Sequence, residues 1–477
     1  MQAKPVKLVS WGFVIVSFCL FSGCESGKKE GRYDYLLRDY SDVIIPPSGT
    51  ENAWVTIIGG NHTGQYYVSP DGDDNNPGTI DKPFRTIAYG ASKLKPGDTL
   101  VVFATNRNDR PIIAGENNLI SAFDISNCQY VRIENFEITS NNGRKFREAI
   151  SGTGGPVAHI VLKDLYIHHI DEFGIDIGDA DDLKIINCKI THCGFGSIGG
   201  PAGQHGGLRN VLIDGCDLSY SGHYYQGGDG SNRPYDRPDG FGIEESEGPV
   251  EIRRTTVVHN YGDGLDSKAK NTYIHECIVA NNSCDGVKLW GDNSRVENTL
   301  IYGRGGGDTT ITPWSPIVIS TENRNANFEI INCTIDDTLG GNYMMHVQYD
   351  YQDVPINLRI VNTIFSSRGN EAPVIWLAES VNYEITHNLF YAPKDDRILI
   401  IGDSKTYTSS EVGNIGSNNI YGEPMFNSVA WGTEGDYHLK SGSPGIDAGN
   451  SDFAPEKDLE GKSRPLGNGV DIGAYER

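Results

Sequence analysis

Residues 238–291 read PDGFGIEESEGPVEIRRTTVVHNYGDGLDSKAKNTYIHECIVANNSCDGVKLWG, and the stretch repeats itself. Asp-Gly occurs at Asp239, Asp263 and Asp285, in steps of 24 and then 22 residues, each followed by a short alternating apolar run. If each step is one turn of a solenoid, the copies lie above one another, about 4.8 Å apart in the stacking direction. Alternation sends Phe241, Leu265 and Val287 inward and leaves the residues between them outward. Three outward columns result: Asp239/Asp263/Asp285 in the turn, Gly242/Asp266/Lys288 on the strand, and Glu244/Lys268/Trp290 beside it. Carboxylates, two lysines and a tryptophan on one face form a candidate active site, although Asp-Gly also favours turns for conformational reasons alone. Turn formation is the preferred reading of Asp285, and His259 and His275 read as surface residues.

Outward from this stretch, an apolar pair followed by Asn or Asp and another apolar residue recurs from about 120 to 392. Examples are VRIENFEI (131–138), VLKDLYI (161–167), LKIINCKI (183–190), RVENTLI (295–301) and RIVNTIF (359–365). The spacing predicts an all-β, right-handed parallel β-helix with about three short strands per coil. Leucine-rich repeats would need leucines at fixed places, and a propeller would need a period of about 40–50 residues. The corner asparagines are placed to pair from coil to coil. Cys188, Cys216, Cys277 and Cys333 fall at related places and read as packing, with no spacing that suggests zinc.

Between 66 and 102 the chain reads as a strand, a loop, an amphipathic helix from Pro83 to Leu94, a turn and the strand Thr99–Phe103, together an N-terminal cap over the open edge. Residues 222–238 form the largest loop inside the array. Its Arg233, Tyr235 and Arg237 suit stacking on sugars and pairing with carboxylates. The segment 436–477 is rich in turn chemistry and reads as an irregular C-terminal cap.

The first residues carry Lys4, Lys7, an apolar core and Phe21-Ser22-Gly23-Cys24, the anatomy of an export signal. Those last four residues resemble the lipobox of bacterial lipoproteins, which implies acylation of Cys24. The expected layout is a signal at 1–23, a tether at 24–62, the β-helix with its N-terminal cap at 63–422, and the C-terminal cap at 423–477. The chain is then anchored in the cell envelope or secreted, touches membrane only through its lipid, and acts as a monomer. Its charge of −23 excludes nucleic acid as a natural partner and repels polyanions unless a cation intervenes.

Residues 66–102 and the final DIGAYE resemble the opening and the end of many secreted bacterial β-helix proteins. Asp239-Gly-Phe241, Asp263-Gly-Leu-Asp266 and Asp285-Gly-Val-Lys288 resemble polysaccharide lyase family nine, the calcium-dependent pectate lyases with a lysine base. That resemblance spans roughly 55 residues. It implies a pectate-like acidic polysaccharide as substrate, calcium on Asp239, Asp263 and Asp266, and Lys288 as the base. Gly262 stands where the family has a further carboxylate, and Glu244 is the candidate to replace it. Lys268 is the alternative base or binds a substrate carboxylate, and Trp290 is placed to stack on a sugar. A lysine beside the metal should have a lowered pKa. Two other readings stay open. One is an inverting hydrolase resembling the polygalacturonases, with Asp239, Asp263 and Asp266 around a water. The other is a glycan-binding or adhesive lipoprotein.

Overall fold

In the computed structural model, described residues comprise the backbone of 16–17 and 55–58, and then 64–477 without 96–97, 105–109, 116–118, 141–145, 225–237, 305–314, 338–342, 369–371 and 430–434. Short strands follow one another around a coil and pair in parallel with their counterparts one coil on. Three long sheets of 13, 13 and 12 strands result. One coil shows the pattern: Phe173–Ile177 in the first sheet, Ala180–Ile186 in the second, Lys189–Cys193 in the third, and then Gly196–Gly200 back in the first.

The inward residues of the first sheet stack as Ile150, Ile175, Ile198, Phe241, Leu265, Val287, Ile317, Met345 and Ile375, all sealed from solvent. Burying each such side chain stabilises the stack by about 1.5–3 kcal/mol, less the entropy of ordering it. The four repeat-related cysteines are buried free thiols in the same core.

The recurring Asn or Asp has a definite task at the corner between the second and third sheets. Asn135, Asp164, Asn187, Asn298, Asn332 and Asn362 all have φ between 43° and 59°. Asn and Asp tolerate this left-handed conformation best among residues with a side chain. Pairing between corners does occur, from Asn362 Nδ2 to Asn332 Oδ1 at 3.0 Å. Other asparagines bridge coils from inside, as Asn260 Nδ2 does to Asn282 Oδ1 at 2.9 Å.

The N-terminal helix is shorter than the pattern predicts, Ile87–Ala91 instead of Pro83–Leu94. Phe84 bridges to Val68, and Asp74 Oδ1 accepts hydrogen bonds from the Arg85 and Thr86 amides, so the chain stays extended through 85. Thr86 then caps the helix, accepting from the Tyr89 amide. At the other end Lys405–Thr408 folds back antiparallel on Arg397–Ile401, and the helical turns at 409–415 bury Val412 and Ile415 in the core.

The C-terminal tail lies along the flank of the third sheet. Asn298 Nδ2 donates to the Lys457 carbonyl, Asn332 Nδ2 to those of Asp471 and Gly473, and Asn362 Nδ2 to that of Asn450. Tyr437, Leu439, Ile472 and Ala474 pack there against Val258, Ala280, Leu300, Ile364 and Leu389. The tail therefore seals a side seam over several coils.

Candidate active site

The site is built by the Asp-Gly repeat. Asp239 Oδ1 accepts from the Asp263 amide at 2.7 Å, Asp263 Oδ1 from the Asp285 amide at 2.8 Å, and Asp285 Oδ1 from the Ser315 amide at 3.0 Å. Each aspartate thus ties its coil to the next with one oxygen and keeps the other for different work. The glycines admit the next coil: a Cβ on Gly264 would stand 2.5 Å from the Gly286 carbonyl oxygen, and one on Gly286 as close to that of Pro316.

Two residues further along each strand, Gly242, Asp266 and Lys288 stand in register. Asp239, Asp263 and Asp266 bring ligand oxygens within 4.8 Å of one another. Lys288 Nζ lies 3.3 Å from Asp263 Oδ2 and 3.4 Å from Asp266 Oδ2. Trp290 Nε1 donates to Asp266 Oδ1 at 3.0 Å, and the Lys288 ammonium lies 5.4 Å from the centre of the Trp290 ring. Tyr351 meets that ring edge-on at 6.3 Å.

Crowding of like charge away from water shapes the electrostatics. Burial, then the Asp263 and Asp266 carboxylates, raise the Asp239 pKa well above the ordinary range. Burial also pushes Asp266 up to about 6, with Lys288 opposing and Asp263 adding to the rise. For Lys288, burial disfavours the charged form, but Asp263, Asp266, Asp285 and Asp239 outweigh it and hold the pKa above the usual lysine value. The lowered value expected of this lysine belongs to a site whose carboxylates hold a cation. The Lys288 ammonium serves as counter-charge to Asp263 and Asp266.

The other expected residues divide plainly. Lys268 Nζ pairs with Glu244 Oε1 at 2.5 Å, and Glu244 is exposed. Glu244 is not one of the three clustered carboxylates. Arg233, Tyr235, Arg237 and Cys24 lie outside the described residues. His259 and His275 are half-buried: His259 stacks on Tyr220 at 5.1 Å, and His275 on Tyr273 at 4.2 Å.

Two groups escaped the sequence reading. Asp285 caps its turn as expected, yet its Oδ2 is buried and has no hydrogen-bond partner among the described residues. Burial, then Asp263, raise its pKa well above the ordinary range. Its place as third member of the Asp-Gly series was the available signal. His346, in the Lys288 column beyond Val318, has a buried Nδ1 likewise without a partner, and burial pushes its pKa down to about 4. No repeat motif marks it.

Residues 116–303 match the family model described as "Right handed beta helix region". Among solved structures, the complex of XylC with xylose superposes with a TM-score of 0.50 at 12% identity, covering 86% of this chain and 98% of that one. The fold is a right-handed parallel β-helix. The crystal structure of pectate lyase Pel9A is also similar, with a TM-score of 0.45 and 12% identity over 88% of this chain and 98% of that one. An uncharacterized protein of Bacillus subtilis (strain 168), YwoF, is 28% identical over 141 residues, taking in 23% of this chain and 30% of that protein. On this β-helix the carboxylate cluster occupies the outer face of the first sheet.

Proposed function

We propose that this β-helix is a polysaccharide lyase that cleaves a uronic-acid-containing polysaccharide by β-elimination, with Lys288 as the base. The observation that carries the reading is the meeting of Asp239, Asp263 and Asp266 within 4.8 Å, with Lys288 against two of them. Three hard carboxylate oxygens, with the partnerless Asp285 Oδ2 one coil on, fit calcium better than a softer metal.

Bound among Asp239, Asp263 and Asp266, calcium would supply positive charge to neutralise these carboxylates and the uronate carboxylate that the acidic chain otherwise repels. Lys288, no longer needed as counter-charge once a cation neutralises Asp263 and Asp266, would lose its proton more readily and as a free amine takes the C5 proton of the uronate. The electron pair left behind forms the C4–C5 double bond as the C4–O bond breaks, and the departing oxygen takes a proton from water. Asp263 and Asp266 hold Lys288 in place through their contacts with Nζ. Trp290, fixed by Asp266, orients its ring beside that amine. The export anatomy at 1–23 supports action in the cell envelope, with Cys24 as lipid anchor.

The test is incubation with polygalacturonate, alginate and glycosaminoglycans, with and without a chelator, following ultraviolet absorbance of unsaturated uronate ends. Absorbance that needs calcium and vanishes in Lys288→Ala supports the lyase. New reducing ends without absorbance mean hydrolysis, and neither product means a binding protein.

A further inference from the structure

The outward column that holds Asp266 and Lys288 continues toward the N-terminal end through Gly242 and Gly199 to Asp176 and Ser151. Asp176 and its neighbour Glu148 are both at least nine-tenths buried, at 8% and 7% exposure. Each leaves one buried oxygen, Asp176 Oδ1 and Glu148 Oε2, without a hydrogen-bond partner among the described residues. Asp176 Oδ1 is aimed along the column, since a Cβ on Gly199 would stand 2.9 Å from it.

The glycines between the two acidic centres make room for an aromatic ring. A Cβ on Gly196 would stand 3.0 Å from Phe173 and one on Gly199 would stand 2.8 Å from it, so the Phe173 ring lies over that strand. Phe173 is half-buried, and Phe195 meets it edge-on at 5.8 Å. On the adjoining strand, a Cβ on Gly242 would stand 2.6 Å from Asp239 Oδ2. The aromatic platform therefore abuts the carboxylate cluster, one stacking step of about 4.8 Å away.

A half-exposed aromatic ring flanked by carboxyl oxygens that lack partners is suited to a pyranose, whose C–H face stacks and whose hydroxyls both donate and accept. Metal binding is not the better reading, because Asp239, Asp263 and Asp266 are the only group of three or more ligands found among the described residues. The acidic side chains nearby offer a uronate carboxylate no counter-charge. Arg147 is already paired with Glu172, at 2.5 and 2.6 Å. A uronate would thus lose its hydration there without gaining a counter-charge, a cost that an uncharged sugar does not carry. Burial, then Glu148 and Glu172, push the Asp176 pKa up to about 7, which leaves a proton available for a sugar oxygen.

We infer that Phe173, Asp176 and Glu148 form a subsite for an uncharged pyranose ring, so that the substrate is a heteropolysaccharide joining uronate to neutral sugars. The inference rests on the Asp239–Lys288 cluster being the cleavage site, and its test reads binding instead of cleavage. Calorimetric titration of the calcium-loaded Lys288→Ala chain compares a uronate homo-oligomer with an oligomer of equal length that alternates uronate and neutral residues. The alternating oligomer should bind about ten-fold more tightly, and Phe173→Ala should bring the ratio of the two affinities toward one. Asp176→Leu, of similar shape, should do the same and serves as the second variant if Phe173→Ala lowers Tm. Equal or tighter binding of the homo-oligomer, or a ratio unchanged in both variants, overturns the subsite. A preference lost in the variants of a chain whose parent forms no unsaturated ends upholds the subsite while refuting the lyase.

Discussion

At the scale of single residues, Lys288 competes with the cation it is proposed to work beside. Its ammonium lies against Asp263 and Asp266, two of the three carboxylates offered to calcium. Removing it leaves the carboxylates with less positive charge and more need of a cation. Lys288→Ala should therefore abolish cleavage yet bind calcium several-fold more tightly, with a larger calcium-induced rise in Tm than in the parent chain. Calorimetry and melting curves decide this, and weaker calcium binding in the variant would contradict it. Asp176 gives a pH prediction. Its carboxyl keeps its proton up to about pH 7 when folded, against 3.8 for the ordinary group, because burial and then the Glu148 and Glu172 carboxylates disfavour the anion. Between those values the folded state holds more protons than the unfolded state, so stability falls as pH rises through the window. The full loss, on the order of 4 kcal/mol, is present at pH 8 and mostly absent at pH 4. Asp176→Asn should raise Tm at pH 8 and leave it nearly unchanged at pH 4.

At the scale of elements, one buried ion pair joins the asparagine bonds and apolar packing that hold the tail. Arg464 Nη1 donates to Glu476 Oε2 at 2.7 Å, and Nη2 donates to Asn298 Oδ1 at 3.1 Å and to the Gly473 carbonyl at 3.0 Å. Both charged side chains are sealed from water, at 1% and 0% exposure. Arg464→Ala leaves the Glu476 carboxylate buried and unpaired, which costs about 3–5 kcal/mol. Urea unfolding should show that loss as an early transition of the tail, and Arg464→Ala/Glu476→Gln should recover part of it. Little of this was legible in the sequence, because the contacts join residues such as Asn298 and Arg464, 166 positions apart. Short-range features were legible. Corner asparagines announced the coil because few other residues accept a left-handed φ, and Asp-Gly announced the register because each aspartate serves the next coil. Alternation placed Asp266, Lys288 and Trp290 on one face but gave no side-chain partners, so the Trp290–Asp266 bond and the paired Lys268 went unseen. The Pro83–Leu94 helix came out short for a related reason: Asp74, bonded to amides 11 and 12 positions on, keeps its first residues extended.

At the scale of the whole molecule, the proposed reaction joins two polyanions. A chain of net charge −23 repels an acidic polysaccharide before any local contact forms. This field reaches about 30 Å at 0.01 M ionic strength and about 8 Å at 0.15 M. Enzymes that draw their substrates in by opposite charge slow down as salt is added. Here the sign reverses. With calcium held at saturation, so that the Asp239, Asp263 and Asp266 cluster stays filled, raising sodium chloride from about 0.01 M to about 0.15 M should increase kcat/KM several-fold. The gain should appear in KM, since screening eases encounter and leaves the Lys288 step alone. A neutral polymer offers the control, because its binding carries no long-range charge term. Should kcat/KM on a uronate polymer fall with salt at saturating calcium, local attraction at the filled carboxylate cluster outweighs the field of the whole chain, and the argument from net charge fails.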